Sequence, residues 1–595
     1  MSKIDVTPRL CSLRELMASK GYSAVIIPQC DPHASEYIAP RWQLRRWLSG
    51  FTGSAGDLVV TIDSAALWAD SRYWLQAARQ LDGTGIVVME DGKTSTPSIL
   101  DWLTSVLPAG SVVAIDSLMV SKAKADSMCD LFALGGLKLD FVPDLSDDIW
   151  PDRPSLPLCP VMIYDEAYAG ESAASKISRL LDDALSAGAS ALFLADLAEI
   201  AWTLNLRGSD IECNPVVISY LYLADDIKVW FVDERKLDGR LRAYLAAQGV
   251  ITAPYGVVGD FLRQLPAEAK IASDGDRIPK MLADRLGERL IFRSGVVALL
   301  KACRNDVEIG GVRQAMVLDG VAMANAFYEL DRCLEAGERL TELDVADLLM
   351  KERSAQPGFV CLSFETIAGF ADHGAIVHYT ASPATASVLT RDNLLLVDSG
   401  ASYLCGTTDI TRTFSLGNVT PDQRRDFTLV LKGMIDLARA VFPRGTRGAQ
   451  LDVLARADMW RYGAAYLHGT GHGVGHCLNV HEGPQSIRLQ ENPVQLMPGM
   501  VTSDEPGIYR AGEYGIRCEN LLLCVEAFTS DMGEFLKFET LTLYPFDMTL
   551  VDPDMLDSWE IEWLNNYQKR VYSQLAPLLD SDDKRKWLAD RCATI

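Results

Sequence analysis

The sequence predicts a protein of α/β, or more broadly α+β, class, in which two similar N-terminal α/β domains precede a larger C-terminal domain. Predicted strands and helices alternate up to about residue 300. Residues 47–70 and 202–233 share one order of features, a tight glycine segment followed by two apolar strands, which indicates an internal repeat. Beyond residue 300 a long amphipathic helix and short hairpins replace the alternation. We therefore expect domains at residues 1–155, 156–301 and 302–595.

The first stretch alternates strands and helices until a proline-rich segment, Trp150–Pro157, predicts a linker. An amphipathic helix is expected at Arg9–Gly21, ahead of the first strand. Further helices are expected at Arg72–Leu81, Ser98–Leu107 and Ser121–Leu134, and strands at Ser23–Ile27, Asp57–Thr61, Ile86–Met89 and Ser111–Ile115.

The second stretch repeats this alternation, and the third begins with a long helix at Asp306–Glu335. The chain closes with a helical pattern from Asp557. In the second stretch we expect strands at Ser190–Leu194, Val216–Leu223 and Ile227–Val232, and helices at Ala174–Ala187, Leu241–Gln248 and Val258–Leu265.

Composition and charge argue against several classes of protein. The net charge is −24 at pH 7, so a surface that binds nucleic-acid phosphates is not expected. The sequence has no apolar run of about 18 residues. Met1–Pro28 carries charges throughout and lacks the apolar core of a signal peptide. Thirteen scattered cysteines, an odd number, favour reduced thiols when no signal peptide is expected. No CxxC pair occurs, so a zinc ribbon is not expected. We expect a cytoplasmic protein with neither a nucleic-acid nor a membrane partner.

Six of the seven histidines fall between residues 373 and 481. Imidazole is a common metal ligand and carries protons near neutral pH, so this region is the first place to search for a site. The six are His373, His378, His468, His472, His476 and His481, and the seventh is His33.

Two predicted strands in this region bring acids together. Asn393–Gly400 is an apolar strand that ends near Asp398, and Thr407–Phe414 alternates as a strand and contains Asp409. The spacing lets Asp398 and Asp409 face each other across an antiparallel pair, where two unpaired carboxylates would repel. The alternative is two turn aspartates, each bonded to backbone.

A second acidic pair makes a chemical role more convincing. Val501–Gly507 contains Glu505, and Gly515–Asn520 contains Glu519. The pattern is again a strand, a turn and a strand, so Glu505 and Glu519 are able to approach each other. The chain therefore presents two hairpins with two acids each.

Between the two hairpins lies a segment of alternating glycines, His468–His476. His468 and His472 would share the face of a helix, but each glycine costs a helix about 1 kcal/mol, so we expect a loop or strand instead. A phosphate-binding loop is one alternative, although the P-loop lysine is absent and the acids would repel phosphate. A purely structural crossing of glycine-rich backbone is the other alternative.

The four carboxylates and one imidazole suit two adjacent divalent ions, manganese among them, rather than a Cys/His zinc site. Two such ions can hold a bridging water that is nucleophilic at neutral pH. The remaining histidines can position a substrate and stabilise the oxyanion that forms when its carbonyl is attacked. The sequence therefore predicts a dinuclear metallohydrolase.

The chain resembles the pita-bread metallopeptidases, the family of methionine aminopeptidases, prolidases, creatinase and aminopeptidase P. The resemblance covers nearly the whole chain and is strongest to the cytosolic three-domain aminopeptidase P group. It implies two creatinase-like domains before a pita-bread catalytic domain. The five family metal ligands are matched, in order and in context, by Asp398, Asp409, His472, Glu505 and Glu519. Other matching segments are Ser49–Gly56, Asn205–Asp210, Tyr466–Gly475, Leu478–Pro484 and Trp563–Tyr567.

The resemblance implies a role for each matched ligand. Asp398 would bind one metal ion, while His472 and Glu505 would bind the other. Asp409 and Glu519 would bridge both ions. Glu505 would also be the general base and acid.

The resemblance also implies roles for the polar residues around the ligands. His378 would hold the substrate and assist the oxyanion, His481 would contact the peptide carbonyl region, and His468 would be a proton shuttle. Arg517 would orient the carboxylates. The implied activity is removal of the first residue from peptides with proline in second position. Manganese is the expected metal, with zinc or cobalt as alternatives, and a homodimer is expected.

Two other functions stay open from the sequence. A prolidase would accept only Xaa-Pro dipeptides, although the two extra N-terminal domains favour longer peptides. A non-catalytic peptide-binding relative would have no need to keep the acids unpaired. Among the remaining residues, His476 is interpreted as a surface histidine, with a pocket residue or a third proton carrier as alternatives. His33, His373, Cys477 and Cys518 are interpreted as structural.

Overall fold

The computed structural model describes residues 5–595, so the first four residues of the predicted N-terminal segment lie outside it. The predicted α/β class is confirmed. The chain forms two compact units: residues up to 166, 171–212 and 216–297 belong to one, and 167–170, 213–215 and 298–595 to the other. The predicted domain boundaries after residues 155 and 301 stay proposals. Across residues 5–595 no helix combines the length and the apolar character that a membrane span requires.

The first α/β layer is a six-stranded sheet. With strands labelled in sequence order, their spatial order across the sheet is β4-β3-β2-β1-β5-β6. Its central strands are buried, and α1 packs on them through Leu10, Leu13 and Met17. The strands are β1 Ala24–Ile27, β2 Asp57–Thr61, β3 Ala65–Ala69, β4 Val87–Glu90, β5 Val112–Asp116 and β6 Lys138–Val142. The helices are α1 Thr7–Lys20, α2 Leu44–Ser49, α3 Trp74–Leu81, α4 Ile99–Val106, α5 Lys122–Leu134 and α6 Ser146–Ile149.

The second α/β layer repeats the first. Its strands are β7 Met162–Ile163, β8 Ala191–Leu194, β9 Leu206–Arg207, β10 Ser219–Ala224, β11 Lys228–Val232, β12 Val250–Pro254, β13 Ile271–Ser273 and β14 Leu290–Phe292. Its helices are α7 Glu166–Ala169, α8 Ala173–Ser186, α9 Leu197–Thr203, α10 Gly239–Ala247, α11 Val258–Gln264, α12 Lys280–Leu286 and α13 Val296–Ala302.

The two six-stranded sheets have the same topology. The second has the order β12-β11-β10-β8-β13-β14. In each sheet the first strand, β1 or β8, pairs antiparallel with one neighbour and parallel with the other. The two outer pairs are parallel in both sheets. The internal repeat predicted from residues 47–70 and 202–233 is therefore confirmed at the level of strand order.

The C-terminal unit surrounds small antiparallel sheets with long helices. Its helices are α14 Asp306–Glu335, α15 Glu342–Ser354, α16 Pro421–Ala438, α17 Gly448–Arg461, α18 Ser558–Leu575 and α19 Asp582–Arg591. Its strands are β15 Phe359–Leu362, β16 Ile367–Phe370, β17 Leu394–Ser399, β18 Ala401–Tyr403, β19 Gly406–Thr407, β20 Ile410–Ser415, β21 Val441–Pro443, β22 Gly471–His472, β23 Ser486–Ile487, β24 Val501–Asp504, β25 Gly507–Arg510, β26 Tyr514–Arg517, β27 Asn520–Ser530 and β28 Gly533–Thr540.

One apolar core joins the helices to the strands that end in acids. Phe327 of α14, Leu431 of α16 and Leu564 of α18 are buried in the same cluster as Val397 of β17 and Leu521 of β27. Such a core is packed as densely as an organic crystal, so the strand ends are held in fixed positions. The sheets β16-β17-β20 and β21-β28-β27-β24 thereby carry polar side chains on rigid supports.

Candidate metal centre

The first acidic pair stands where β17 ends and β20 begins. Asp398 is the next-to-last residue of β17 and pairs across the sheet with Thr411. Asp409 precedes the first residue of β20, because the short hairpin of β18 and β19 occupies the chain between the two strands. Asp398 and Asp409 are close enough for their charges to interact, but they do not lie in the direct cross-strand register that the spacing suggested.

The second acidic pair stands in direct register. Asp504 of β24 pairs with Asn520 of β27. Continuing that antiparallel register by one residue sets Glu505 opposite Glu519, just beyond the ends of both strands. Glu519 is buried and Glu505 is half-buried. The pairing of the two strands agrees with the prediction, but the hairpin of β25 and β26, rather than a single turn, joins them.

The structure brings the two acidic pairs and the glycine-rich segment together. Ligand atoms of Asp409, His472 and Glu519 lie within 4.8 Å of one another. His472 Nε2 is 3.5 Å from Asp409 Oδ2 and 3.4 Å from Glu505 Oε1. Together with Asp398 we call these residues the acid–histidine cluster.

Arg517 meets the cluster from one side. Its Nη2 donates to Asp398 Oδ2 at 2.6 Å, and both side chains are buried. The other carboxylate oxygen of Asp398, Oδ1, is buried without a hydrogen-bond partner. A buried carboxylate oxygen in that state is costly unless a cation binds it.

The acids of the cluster hold protons more tightly than exposed acids do. Burial raises the pKa of Asp409 and of Glu519 well above their ordinary values, and repulsion from neighbouring acids raises them further. Burial raises the pKa of Glu505 to about 7, and the charge of Asp398 acts in the same direction. The protein itself therefore supplies too little positive charge for four ionised carboxylates here.

The residues present fit a pair of divalent ions. Carboxylate oxygens and one imidazole nitrogen form a hard to borderline donor set, which suits manganese and also accommodates zinc or cobalt. The unpartnered oxygen of Asp398 is available as a ligand. Two dications would relieve the repulsion that raises the pKa of Asp409, Glu505 and Glu519.

The glycines on both sides of His472 let two backbones cross closely. A Cβ atom at Gly471 would lie 1.9 Å from the carbonyl oxygen of Ser503, and one at Gly473 would lie 2.1 Å from that of Glu482. Only glycine fits such contacts. His472 Nδ1 lies 2.9 Å from the carbonyl oxygen of Gly473, so Nδ1 carries the hydrogen and Nε2 presents its lone pair to the acids.

Two more predicted histidines lie at the edge of the cluster. The rings of His481 and His472 are 4.4 Å apart and nearly perpendicular. The charge of His481 lowers the pKa of Asp409 and of Glu505, against the larger effect of burial. His468 Nε2 lies 2.9 Å from the hydroxyl of Tyr509.

The predicted substrate residue His378 lies in a half-buried position on the segment after β16. The carbonyl of Val377, the residue before it, accepts a hydrogen bond of 3.4 Å from Arg517 Nη2. The same nitrogen donates to Asp398. The backbone next to His378 is therefore connected to Asp398 of the acid–histidine cluster through Arg517.

The prediction that His476 lies on the surface is wrong. Only 3% of the residue is exposed, and its Nε2 lies 3.2 Å from the carbonyl oxygen of Tyr168. The ring also lies close to α14, where a Cβ at Gly311 would be 3.2 Å from it. His476 is held by a segment 308 residues away, which no local pattern could indicate.

The other two histidines have structural partners. His33 is fully buried, with Nδ1 2.7 Å from the carbonyl oxygen of Ala195 and Nε2 2.9 Å from the hydroxyl of Tyr255. His373 Nδ1 lies 2.9 Å from a carboxylate oxygen of Glu342. These contacts support the interpretation of both histidines as structural.

Sequence reasoning missed three hydroxyl groups that hold the cluster. Thr411 donates to Glu519 at 2.8 Å, and Ser503 donates to Glu505 at 3.2 Å. Each precedes or follows an acid by two residues, and strand residues at this spacing share a face, so the signal was present. The hydroxyl of Tyr509 contacts both His468 and Arg517. Tyr509 lies on β25, and the sequence does not indicate where this strand lies relative to the acids.

Family models match almost all of the chain. Residues 310–526 match the model of metallopeptidase family M24, and residues 534–595 match the C-terminal region of that family. Residues 9–139 and 152–308 each match a creatinase/prolidase N-terminal domain. Two copies of one kind of domain agree with the shared strand order of the two N-terminal sheets.

Full-length relatives carry consistent names. The chain is 38% identical to aminopeptidase P2 of Arabidopsis thaliana, over 99% of this chain and 88% of that protein. It is 38% identical to a probable Xaa-Pro aminopeptidase P of Coprinopsis cinerea, over 98% of both. It is 36% identical to an X-prolyl aminopeptidase of Caenorhabditis elegans, described as a cytosolic enzyme with a dinuclear active site. That crystal structure matches with a TM-score of 0.96, over 99% of this chain and 100% of that one.

Proposed function

The chain belongs to metallopeptidase family M24, and on that premise we propose that it is an aminopeptidase that removes the first residue from peptides with proline in second position. The observation that carries the proposal is the convergence of Asp409, His472 and Glu519 within 4.8 Å beside a buried carboxylate oxygen of Asp398 that has no hydrogen-bond partner. A protein that only bound peptides would have no use for acids whose pKa is raised by burial and, to a smaller extent, by neighbouring acids.

We propose that Asp398 holds one divalent ion, that His472 and Glu505 hold the other, and that Asp409 and Glu519 hold both. Divalent ions at such a site supply Lewis-acid polarisation of the peptide carbonyl and a water acidic enough to attack it. Manganese is the proposed metal, and zinc or cobalt fits the same donor set.

Glu505 is the proposed general base and general acid. It is half-buried, lies next to His472, and accepts a hydrogen bond from Ser503. A carboxylate in this position can take a proton from the attacking water and later release it. The proton is needed at the proline nitrogen, because this nitrogen leaves as a secondary amine and carries no hydrogen while it is part of the peptide bond.

The other polar residues are proposed to bind and orient the substrate. His378 would hold the peptide and donate to the carbonyl oxygen as negative charge develops there. His481 would contact the peptide carbonyl region, and His468 would move protons together with Tyr509. Arg517 keeps Asp398 in position through the 2.6 Å hydrogen bond.

The setting of the enzyme is also a proposal. A cytoplasmic location is supported by the thirteen scattered, unpaired cysteines and by the cytosolic relative of Caenorhabditis elegans. We propose that the protein forms a homodimer. We also propose that it binds a peptide substrate and neither a nucleic acid nor a membrane.

The test is hydrolysis by purified protein supplied with manganese. Release of the first residue is measured by amino-acid analysis on three peptides: an Xaa-Pro-Xaa tripeptide, an Xaa-Pro dipeptide, and a tripeptide with alanine in place of proline. We expect the Xaa-Pro-Xaa tripeptide to be cleaved, and the alanine peptide to be cleaved far more slowly. Cleavage of the dipeptide alone would identify a prolidase. No cleavage of any peptide by protein that contains two metal ions would favour a non-catalytic relative.

A further inference from the structure

A buried glutamate outside the acid–histidine cluster, Glu342, receives four hydrogen-bond donors. It is the first residue of α15 and is fully buried. Its Oε1 accepts from the backbone N–H of Phe370 at 2.8 Å and from His373 Nδ1 at 2.9 Å. Its Oε2 accepts from the hydroxyl of Tyr379 at 2.9 Å and from the backbone N–H of Ser387 at 2.8 Å. A carboxylate has about four acceptor positions, so these donors saturate it.

All four donors belong to one stretch of chain, residues 370–387, which we call the His378 segment. The Glu342 carboxylate accepts hydrogen bonds from both ends of the segment, from the backbone N–H groups of Phe370 and Ser387. The Glu342 backbone N–H also donates to the carbonyl of Ser387, and the next contact joins Leu389 to Leu340. From residue 376 to residue 393 the chain forms neither helix nor strand. The conformation of the segment therefore depends on these side-chain contacts.

His378 lies between two anchored neighbours. On one side, the carbonyl of Val377 accepts from Arg517 of the acid–histidine cluster. On the other side, the hydroxyl of Tyr379 donates to Glu342. The ring of His373 stacks on that of Tyr379, with centroids 4.4 Å apart and planes 27° from parallel. The backbone of His378 is thus fixed from both directions.

A close glycine crossing adds a third restraint. A Cβ atom at Gly515 would lie 1.7 Å from the carbonyl oxygen of Gly374, and one at Gly369 would lie 2.9 Å from the Gly374 backbone. The His378 segment therefore lies directly on the backbone of β26, the strand that ends at Arg517. A shift of this segment would therefore displace the strand that leads to Arg517, which pairs with Asp398 of the acid–histidine cluster.

We propose that Glu342 is a positioning residue that fixes the location of His378 relative to the acid–histidine cluster. The inference rests on the function proposed above, since it assigns to Glu342 the task of placing a residue proposed to bind substrate. Glu342 holds the segment through hydrogen bonds from its four donors. His373 and Tyr379 donate from their side chains, and the other two donors are backbone N–H groups. A misplacement of about 1 Å in such a segment can lower a rate about 100-fold.

The principal test is Glu342→Gln. The amide NH₂ of glutamine would face donors on one side of the group, so at least one hydrogen bond is lost while size is kept. We expect kcat/KM for an Xaa-Pro-Xaa peptide to fall about 10- to 100-fold, while the protein still binds two metal ions per chain when manganese is in excess. The matched control is Glu352→Gln in the same helix, where the carboxylate forms an ion pair with the neighbouring Lys351 at 3.3 Å. We expect the control to retain wild-type kcat/KM.

A double-mutant cycle separates positioning from general stability. In a His378→Ala background, Glu342→Gln should lower kcat/KM less than about threefold, because the residue that Glu342 positions is already absent. Equal losses in both backgrounds would overturn the proposal. Tyr379→Phe removes one donor without changing shape, and it replaces Glu342→Gln in the cycle if that variant does not fold.

Hydrogen exchange provides a readout that does not depend on activity. We expect the amides of residues 370–387 to exchange faster in Glu342→Gln than in Glu352→Gln, with or without metal. Unchanged exchange in this segment would contradict the positioning role even if activity fell. A wild-type protein that cleaves no Xaa-Pro peptide would reject the proposed function, and the exchange measurement would still decide whether Glu342 orders the segment.

Discussion

The C-terminal unit contains two acidic clusters of similar density that differ in how their charge is balanced. In one, Asp436, Asp458 and Glu560 present oxygens within 4.8 Å of one another. Lys432 lies beside them, with Nζ 2.7 Å from Glu560 and 3.4 Å from Asp458. We call these four residues the lysine cluster.

The acid–histidine cluster has a comparable set of acids and a different counter-charge. Arg517 pairs with Asp398, whereas burial and neighbouring acids raise the pKa of Asp409, Glu505 and Glu519. Proximity of acids alone therefore does not identify a metal site. The cation that the fold itself supplies separates the two cases, because Lys432 pairs with two acids of the lysine cluster, whereas Arg517 pairs with Asp398.

The largest expected difference between the clusters is in catalysis. Glu505→Gln should lower kcat about 100- to 10,000-fold, because glutamine cannot accept the proton of the attacking water. Metal analysis should still find bound ions. The matched change in the lysine cluster, Glu560→Gln, should leave kcat unaltered in the folded protein. Substantial turnover by Glu505→Gln would refute the assignment of the general base.

The next difference is in metal binding. His472→Ala should weaken metal binding more than about 100-fold, since even loss of a group that only supports a ligand costs about 10- to 100-fold. Titration of metal-free protein with manganese, followed by elemental analysis, measures the change. Asp458→Ala serves as the control and should bind manganese as the wild type does. An unchanged affinity in His472→Ala would remove this histidine from the proposed ligands.

The third difference is in stability. Lys432→Met should destabilise the protein by about 3 kcal/mol, because the buried Glu560 would then lose its cation. Asp458 and Asp436 would keep only their more exposed partners, Arg461 and Arg439. Lys432→Arg should recover most of that loss. The midpoint of thermal unfolding at pH 8 is the measurement. A Lys432→Met variant as stable as wild type would mean that the lysine cluster does not need its lysine, and the comparison would fail.

The smallest expected effect depends on pH. Burial and Glu560 raise the pKa of Asp436 from 3.8 to about 6. The folded protein therefore binds this proton more tightly than the unfolded chain, and stability falls as pH rises through that window. Because Asp436 is partly exposed, we reduce the expected gain from Asp436→Asn to about 1 kcal/mol at pH 8. Below pH 4 the variant and the wild type should unfold at the same temperature, and a gain that persists there would contradict the assignment.

Much of the fold could be predicted because the signals are local. The helix Asp306–Glu335 is confirmed with the predicted ends, and Asn305 and Glu308 form a capping box at its start. Strands β6, β13 and β14 were not predicted. β6 alternates charged and apolar residues, and β13 and β14 have three residues each. Their strand conformation comes from parallel pairing with neighbours distant in sequence.

The candidate site divides in the same way. The convergence of Asp409, His472 and Glu519 could be predicted, because each stands in or beside a strand with a recognisable pattern. The burial of His476 could not, since it depends on the distant Tyr168. The role of Glu342 as a hydrogen-bond centre could not either, because two of its donors are backbone N–H groups, which every non-proline residue carries.

The crossing of Gly374 and Gly515 places the His378 segment directly against the strand that ends at Arg517. The strand that carries Gly515 ends at Arg517, two residues before Glu519, so the His378 segment and a proposed metal ligand share one mechanical support. We expect a peptide that orders the segment to tighten metal binding, and thermodynamic reciprocity would then require metal to tighten peptide binding by the same factor. An enzyme built this way would hold its ions most firmly while substrate is plentiful and release them most readily when it is idle.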